Sequence, residues 1–347
     1  MGIWQVTGHS RAVSLLQRSL ETGSLAHAYL FIGPAHVGKM ALAINLAQAL
    51  NCEAAEPPCG QCPPCERIAS AKHADVQIIG LSLNDDSAES KSRAEISIDQ
   101  IRNIQHSASL PPFEGRYRVY IIDGAELLSL EAANCLLKTL EEPTGKVVFV
   151  LLTTSERLLP KTVVSRCQTV ELSPVPAGEI ETFLIDSRGV EPEKAKLLAK
   201  LSHGCPSWAV SAAVDDSLLE QRAELLDRMV ETINTNCDER FTYTAQLATR
   251  YSQNRGLVHE RLDLWLDWWR DLLLVKAGSA NNITNIDRAD SLARMAAGFS
   301  LAQIRDVIEN IRAAGEQLRQ NANPQLVLEV LMLGIPDSRN VEQISIA

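Results

Sequence analysis

A glycine loop between an apolar run and a helical pattern constrains the fold of this chain more than any other feature. Residues 33–40 read Gly-Pro-Ala-His-Val-Gly-Lys-Met, and residues 28–33, just before them, read Ala-Tyr-Leu-Phe-Ile-Gly. From Met40 to Leu50, leucines recur at every fourth residue, which is helical spacing. A strand, a glycine loop and a helix in this order let backbone N–H groups surround a phosphate. The sequence therefore predicts a phosphate-binding loop in an α/β domain.

One position of this loop departs from the pattern G-x-x-x-x-G-K-[S/T]. Gly33, Gly38 and Lys39 are present, but Met40 stands where a hydroxyl residue normally binds Mg²⁺. A thioether is a soft, weak ligand, whereas Mg²⁺ prefers hard oxygen ligands. We therefore expect the loop to accept the phosphates of ATP or ADP and to be poorly equipped for hydrolysis.

Four more β-branched runs follow the loop and are separated by helix-like stretches. They lie at Asp75–Ile79, Val119–Asp123, Val147–Thr153 and Gln168–Leu172. Strands that alternate with helices predict a parallel sheet with helices on both faces.

The pattern changes after the proline-containing segment at residues 173–176. Beyond it no strand pattern is convincing, and amphipathic helical spacing recurs, as in residues 262–273. We predict an α/β domain at 1–173, a small helical domain at 174–214 and an all-helical domain at 215–347.

Four of the eight cysteines are concentrated in one short segment with the spacing C-x₆-C-x₂-C-x₂-C. Cys59, Cys62 and Cys65 form two overlapping CxxC steps, and Cys52 at the end of the preceding helix can complete a tetrahedron. The alternative is a set of four free thiols. Because all four ligands come from the protein, a zinc ion bound here is expected to be structural.

The strand candidate Val119–Asp123 ends in an acid, as in a Walker B motif. Its aspartate would hold Mg²⁺, although Asp123 could also simply end a strand. Hydrolysing enzymes usually carry a glutamate next, but this chain has Gly124 there. Glu126 is expected to be displaced from the general-base position by a helical turn.

Two further positions have a functional and an ordinary interpretation. Thr154 follows the strand at Val147–Thr153, where a hydroxyl could sense a γ-phosphate, but threonine is common at strand ends. Arg166, in Ser-Arg-Cys at residues 165–167, could neutralise transition-state charge as an arginine finger. From spacing alone, a surface salt bridge is the better interpretation of Arg166.

Charge and aromatic patterns limit the alternatives. A net charge of −10 argues against nonspecific DNA binding by the whole chain. Trp265, Trp268 and Trp269 could stack on bases, but their helical spacing favours a core. The longest clean apolar run, Val147–Leu152, is too short to cross a membrane, so we expect a cytoplasmic protein without a membrane partner.

Several longer motifs carry a family resemblance. They are His-Ala-Tyr-Leu-Phe at 27–31, the four-cysteine insertion, Ile-Asp-Gln-Ile-Arg at 98–102, Asn-Cys-Leu-Leu-Lys-Thr-Leu-Glu-Glu-Pro at 134–143, and Ser-Arg-Cys at 165–167. With them the chain resembles the bacterial AAA+ clamp-loader subunits of DNA polymerase III, and among these the delta-prime type. The resemblance is dense over the first 210 residues.

The resemblance implies an AAA+ P-loop domain with a zinc module, a helical lid and a helical collar that mediates oligomerisation. It assigns Arg166 as an arginine finger that acts in a neighbouring subunit, which reverses the preference for a salt bridge. It also places Ser207 where motor subunits carry a sensor arginine. Together with Met40 and Gly124, Ser207 is the third departure from a hydrolysing site.

The resemblance further implies a stator that does not hydrolyse ATP, and is no enzyme by itself, within the DNA polymerase III holoenzyme, a DNA-directed DNA polymerase complex. Its partners would be a gamma/tau-like motor and a delta-like clamp-opening subunit in a hetero-pentamer, the sliding clamp and primer–template DNA, in the bacterial cytoplasm. One alternative is an ATP-hydrolysing gamma/tau-like motor. Another is a zinc-based nucleic-acid-binding module, which the lack of a Lys/Arg cluster around Cys52–Cys65 opposes.

Overall fold

The computed structural model describes residues 4, 6–81, 95–142 and 145–336, which belong to two compact units. The first unit comprises residues 1–190 and 202–210, and the second comprises 191–201 and 211–347. The division into three domains stays a prediction, and residues 337–347 of its last domain lie outside the described part.

A parallel five-stranded sheet organises the first unit. Its order is β2-β3-β4-β1-β5, and every neighbouring pair is parallel. Strands were predicted at all five positions, and the predicted parallel sheet is confirmed. The strands are β1 (Ala28–Ile32), β2 (Val76–Ile79), β3 (Arg118–Asp123), β4 (Val147–Thr153) and β5 (Gln168–Glu171).

Helices cover both faces of this sheet, because successive side chains of a strand point to opposite sides. Tyr29 and Phe31 pack into a buried cluster with α1 and α2, while Ala28 and Leu30 pack into another with α4 and α5. The helices of this unit are α1 (Ser10–Glu21), α2 (Lys39–Asn51), α3 (Pro63–Ala69), α4 (Ile98–Ala108), α5 (Leu130–Glu141), α6 (Lys161–Val164) and α7 (Ala177–Arg188). The α/β P-loop fold class is thereby confirmed.

The described residues of the second unit contain helices and no strand. Trp265, Trp268 and Trp269 are almost fully buried, so their assignment to a core is confirmed. No described helix is long and apolar enough to cross a membrane. The helices are α8 (Pro192–Leu201), α9 (Pro206–Val214, which begins in the first unit), α10 (Ser217–Ile233), α11 (Cys237–Gln253), α12 (Arg255–Lys276), α13 (Ala289–Ala297), α14 (Leu301–Arg319) and α15 (Pro324–Leu333).

Two buried polar side chains hold the loop that leads into β3. Asp75, just before β2, accepts the backbone N–H groups of residues 113–115 at 2.7–2.8 Å. Asn51, the last residue of α2, accepts those of residues 116 and 117 through its Oδ1 at 2.8 and 3.0 Å. The end of α2 is therefore hydrogen-bonded to this loop.

Burial by itself would raise the pKa of Asp75. The three backbone N–H groups and the Arg118 guanidinium, whose Nε lies 3.4 Å from Asp75 Oδ1, outweigh that effect and lower the pKa below its ordinary value. Asp75 is therefore a carboxylate whose charge the fold stabilises.

Candidate functional site

The backbone of the phosphate loop requires glycine at both ends. A Cβ atom on Gly33 would lie 2.4 Å from the carbonyl oxygen of Leu172, and Gly38 has a φ of 113°. Both conditions exclude ordinary side chains. The loop ends where α2 begins, at Lys39, so the N-terminus of a thirteen-residue helix faces the loop.

Lys39 binds its own loop. Its Nζ donates to the carbonyl oxygens of Gly33 at 2.6 Å and Pro34 at 2.7 Å, and the residue is 9% exposed. Burial lowers the pKa of Lys39, and the nearby carboxylates of Glu126 and Asp123 partly oppose this shift. Two of the three ammonium donors are thus engaged by backbone carbonyls.

A cavity of about 260 Å³ lies beside this loop. Four of the five predicted nucleotide-binding residues line it, and Gly33 is joined to them through its hydrogen bond with Lys39. The fold therefore brings together residues that are widely separated in the chain. The four lining residues are Gly38, Lys39, Asp123 and Thr154.

The three departures from a hydrolysing site line the same cavity. Met40, Gly124 and Ser207 all belong to its wall. Ser207 reaches it because the backbone N–H of Ser207 donates to the carbonyl oxygen of His36 at 3.1 Å, which holds the start of α9 against the phosphate loop. These three positions are far apart in the sequence and lie on the wall of one cavity.

Glu126 occupies the wall between β3 and β4. Its Oε1 accepts hydrogen bonds from Thr154, at 3.3 Å from the backbone N and 3.0 Å from Oγ1. Gly124, at a φ of 74°, begins the 3₁₀ turn Ala125–Leu127 that carries Glu126 there. The proposed phosphate-sensing hydroxyl therefore donates to a carboxylate of its own chain. Whether Glu126 is absent from the general-base position stays a prediction.

The four clustered cysteines converge. Their Sγ atoms all lie within 4.8 Å of one another, and those of Cys52 and Cys62 are 3.8 Å apart. Sulfur atoms about 2.3 Å from a tetrahedral zinc ion would be separated by about 3.8 Å, so the set fits this metal. Cys52 and Cys65 are buried, which agrees with a site closed by protein.

Backbone N–H groups favour the thiolate form in part of this cluster, which is the form that binds a metal. The N–H groups of Gln61 and Cys62 lower the pKa of Cys59 to about 6, whereas burial raises the pKa of Cys52. The Cys62 N–H lies 3.3 Å from Cys59 Sγ, and the Ala54 N–H lies 3.4 Å from Cys52 Sγ. Such N–H···S bonds stabilise negative charge on sulfur. Zinc held by this set would link the end of α2 to α3.

Arg166 lies at the surface just after α6. Its Nη2 is 2.6 Å from Oε1 of Glu141, and its Nη1 donates to the carbonyl oxygen of Thr162 at 2.8 Å. The adjacent Val163 and Cys167 belong to the packed interior, and burial raises the pKa of Cys167 to about 12. The arginine thus projects from a backbone fixed by packed neighbours and takes part in the surface ion pair that its spacing suggested.

Two family models match the chain, both for DNA polymerase III. "DNA polymerase III, delta subunit" matches residues 8–176, and "DNA polymerase III, delta subunit, C terminal" matches residues 216–336. The DNA polymerase III subunit delta' of Bacillus subtilis is 30% identical over 327 residues, which cover 93% of this chain and 94% of that protein. The chain belongs to the DNA polymerase III delta subunit family. It is thus a subunit of clamp-loader type.

Proteins named as tau or gamma-related subunits of DNA polymerase III are also similar to this chain. The DNA polymerase III subunit tau of Bacillus subtilis is 25% identical over 351 residues, which cover 95% of this chain and 60% of tau. Among solved structures, a gamma subunit-related protein from Thermotoga maritima aligns over 92% of this chain and 97% of its own, with 18% identity and a TM-score of 0.40. At that score the alignment adds nothing to the assignment.

The sequence did not predict three side-chain contacts with the phosphate loop or the predicted site residues. His9 Nε2 donates to the carbonyl oxygen of Val37 in the phosphate loop at 2.8 Å, Glu126 binds Thr154, and Glu141 pairs with Arg166. No motif marks His9, and the Walker B-like motif drew attention to Glu126 without indicating its contact with Thr154. Glu141 lies in the Leu-Glu-Glu-Pro part of a family motif, which was a signal without an assigned role.

Proposed function

We propose that this chain is a delta-prime-type stator of the DNA polymerase III clamp loader. In this role it helps to load the sliding clamp onto primer–template DNA during replication in the bacterial cytoplasm. It supplies Arg166 to the ATP site of a neighbouring gamma/tau-like motor subunit and does not hydrolyse ATP itself. Its other neighbour is a delta-like clamp-opening subunit, in an assembly of five.

The observation that carries this proposal is the composition of a single cavity. Met40 removes the Mg²⁺-binding hydroxyl, Gly124 the usual water-activating acid, and Ser207 a cation that would contact phosphate. Each loss affects a different part of phosphoryl transfer, and all three face one space. A site that lacks all three functions is suited to holding a nucleotide without turnover.

The remaining groups support nucleotide binding of this passive kind. Gly33, Gly38 and Lys39 provide the loop, with Asp123 and Thr154 on the opposite wall, so ATP or ADP could occupy the cavity. The four-cysteine site is assigned to structural zinc, because it leaves no ligand position open for a substrate.

Arg166 supports the other half of the proposal. Its side chain is 34% exposed, and its backbone is anchored by buried neighbours, so the guanidinium can reach beyond its own subunit from a fixed origin. An arginine placed against transferring phosphate stabilises the charge that develops there.

The test is Arg166→Ala in a loader reconstituted with its motor and clamp-opening subunits. At the site that Arg166 serves, we expect DNA-stimulated ATP turnover to fall by roughly three orders of magnitude, because that is the usual contribution of an arginine finger. Assembly, measured by size-exclusion chromatography with light scattering, should remain intact. Arg157→Ala, at an exposed arginine of the same unit, is the matched control and should leave turnover unchanged.

Unchanged turnover in an intact Arg166→Ala assembly would contradict the stator role. A defect of equal size in Arg157→Ala would show that loss of surface charge, rather than the finger, is responsible.

The second candidate is an ATP-hydrolysing gamma/tau-like motor. The retained glycines and Lys39, together with the similarity to tau, favour it. ATP turnover by the purified chain, alone and with primer–template DNA, separates the two. A motor hydrolyses ATP, is stimulated by DNA and loses this activity in Lys39→Ala. The proposed stator shows no more ATP turnover than its Lys39→Ala variant does.

A further inference from the structure

Three acceptors on its own subunit contact the Arg166 guanidinium, and the weakest of them is Ser165 Oγ at 3.5 Å from Nη1. Glu141 Oε1 lies 2.6 Å from Nη2, and the carbonyl oxygen of Thr162 lies 2.8 Å from Nη1. Thr162 precedes Arg166 by four residues, so the side chain is folded back along its own helical turn. The guanidinium is therefore not extended away from the subunit.

The position of Glu141 is not explained by helix stability. It is the last residue of α5, where the exposed carbonyl groups and the helix dipole disfavour a negative side chain. The ion pair with Arg166 offsets this unfavourable placement. The neighbouring Glu142 forms no ion pair among the described residues, although it is exposed at the same helix end.

The pair with Glu141 is incompatible with a phosphate contact by the same guanidinium edge. A phosphate that approached Nη2 would come within a few ångströms of the Glu141 carboxylate, and like charges at that distance repel. Arg166 must therefore leave Glu141 before it can bind a neighbouring nucleotide through this edge. The carboxylate and the phosphate compete for one cation.

We propose that Glu141 is a positioning residue that holds Arg166 on its own subunit until a phosphate of the neighbouring subunit replaces it. This inference rests on the proposed role of Arg166 as an arginine finger. In this inference the Glu141 carboxylate of the same subunit competes with the neighbour's nucleotide for Arg166. A phosphate of that nucleotide can bind Arg166 only after it displaces the carboxylate.

The test is Glu141→Gln in the reconstituted loader, with Glu142→Gln as the matched control. Removing the competing charge should raise kcat/KM for ATP two- to fivefold, the range expected for a partly exposed ion pair. Glu142→Gln should have no effect, and Glu141→Asp, which keeps a carboxylate, should remain near the wild-type value. Glu141→Ala provides a second removal of the charge should the glutamine variant fail to assemble.

Two further measurements identify the cause. In an Arg166→Ala background, Glu141→Gln should change nothing, because the group that it restrains is gone. The gain should also shrink as salt is raised from about 0.05 M to about 0.5 M, because salt screens exposed ion pairs. A purely structural effect of position 141 would depend neither on the presence of Arg166 nor on the salt concentration.

The outcomes separate this inference from the proposed function. If Arg166→Ala abolishes turnover and Glu141→Gln leaves it unchanged or lowers it, Glu141 is not a competitor and the finger still stands. If Arg166→Ala has no effect, the finger fails and the inference fails with it. A gain that persists in the Arg166→Ala background overturns the inference alone.

Discussion

Helix α2 carries a different kind of loop at each end. At its N-terminus the phosphate loop keeps its glycines and Lys39, but Met40 has replaced the metal-binding hydroxyl. At its C-terminus the cysteine segment that begins at Cys52 keeps a complete set of four convergent thiols. One end lacks the hydroxyl that binds Mg²⁺ in a complete phosphate loop, and the other retains every group that a structural metal needs.

The difference between the two ends of α2 separates residues that shape the backbone from residues that bind a metal. The loop residues that remain are those that shape the backbone, since Gly33 and Gly38 permit the turn and Lys39 bonds its carbonyls. The C-terminal end is tied further into the fold through Asn51, which holds residues 116 and 117. We expect the C-terminal end of α2 to contribute more to the free energy of unfolding than the N-terminal end.

The largest effect is expected from removing the metal. Zinc chelation, or Cys62→Ser, should lower the free energy of unfolding by about 3 kcal/mol or more, because metal binding is coupled to folding. Urea unfolding followed by circular dichroism measures this change, and Cys237→Ser, at an exposed cysteine outside the cluster, should have little effect. Identical unfolding curves with and without chelator, in protein shown by elemental analysis to contain zinc, would contradict a structural metal.

A smaller effect is expected at the loop that the end of α2 supports. Asp75→Asn should destabilise the fold by about 2 kcal/mol at neutral pH, because an amide cannot accept three N–H groups as a carboxylate does. Since folding lowers the pKa of Asp75, its contribution is fully present above the unfolded-state pKa of about 3.9 and is lost as pH falls through the lower folded value.

Urea unfolding at several pH values checks this second prediction. The difference between wild type and Asp75→Asn should be constant near neutral pH and narrow below about pH 4. Asp186→Asn, at an exposed carboxylate of the same unit, should show no comparable difference at any pH. A difference in unfolding free energy that grows on acidification would contradict a lowered pKa of Asp75 in the folded state.

The smallest effect on stability is expected at the N-terminal end of α2. Met40→Thr restores a hydroxyl and should change the free energy of unfolding by about 1 kcal/mol or less, because Met40 is only half-buried. Mg²⁺-dependent binding of a fluorescent ATP analogue should strengthen, whereas Met40→Leu should not strengthen it. Under the proposed stator role, neither variant should turn over ATP, since Gly124 and Ser207 are unchanged. Turnover in Met40→Thr would favour the motor alternative.

Sequence periodicity was sufficient for the fold but not for the contacts within the site. Buried strands such as Val147–Thr153 are nearly continuous apolar runs, and cysteine spacing alone indicates a metal cluster. The hydrogen bond between Glu126 and Thr154 joins residues 28 positions apart and depends on side-chain rotamers that no local pattern encodes. The pairing of Glu141 with Arg166 was unpredictable for the same reason.

The two hydrogen bonds of Lys39 change how variants at this position should be interpreted. Because the lysine of a phosphate loop reaches the terminal phosphates, its substitution is expected to remove nucleotide binding. Here the ammonium also closes the loop by bridging the carbonyl oxygens of Gly33 and Pro34. An inactive Lys39 variant would therefore report a misshapen loop as readily as a lost phosphate contact, and only a variant that keeps both carbonyls bonded could distinguish the two.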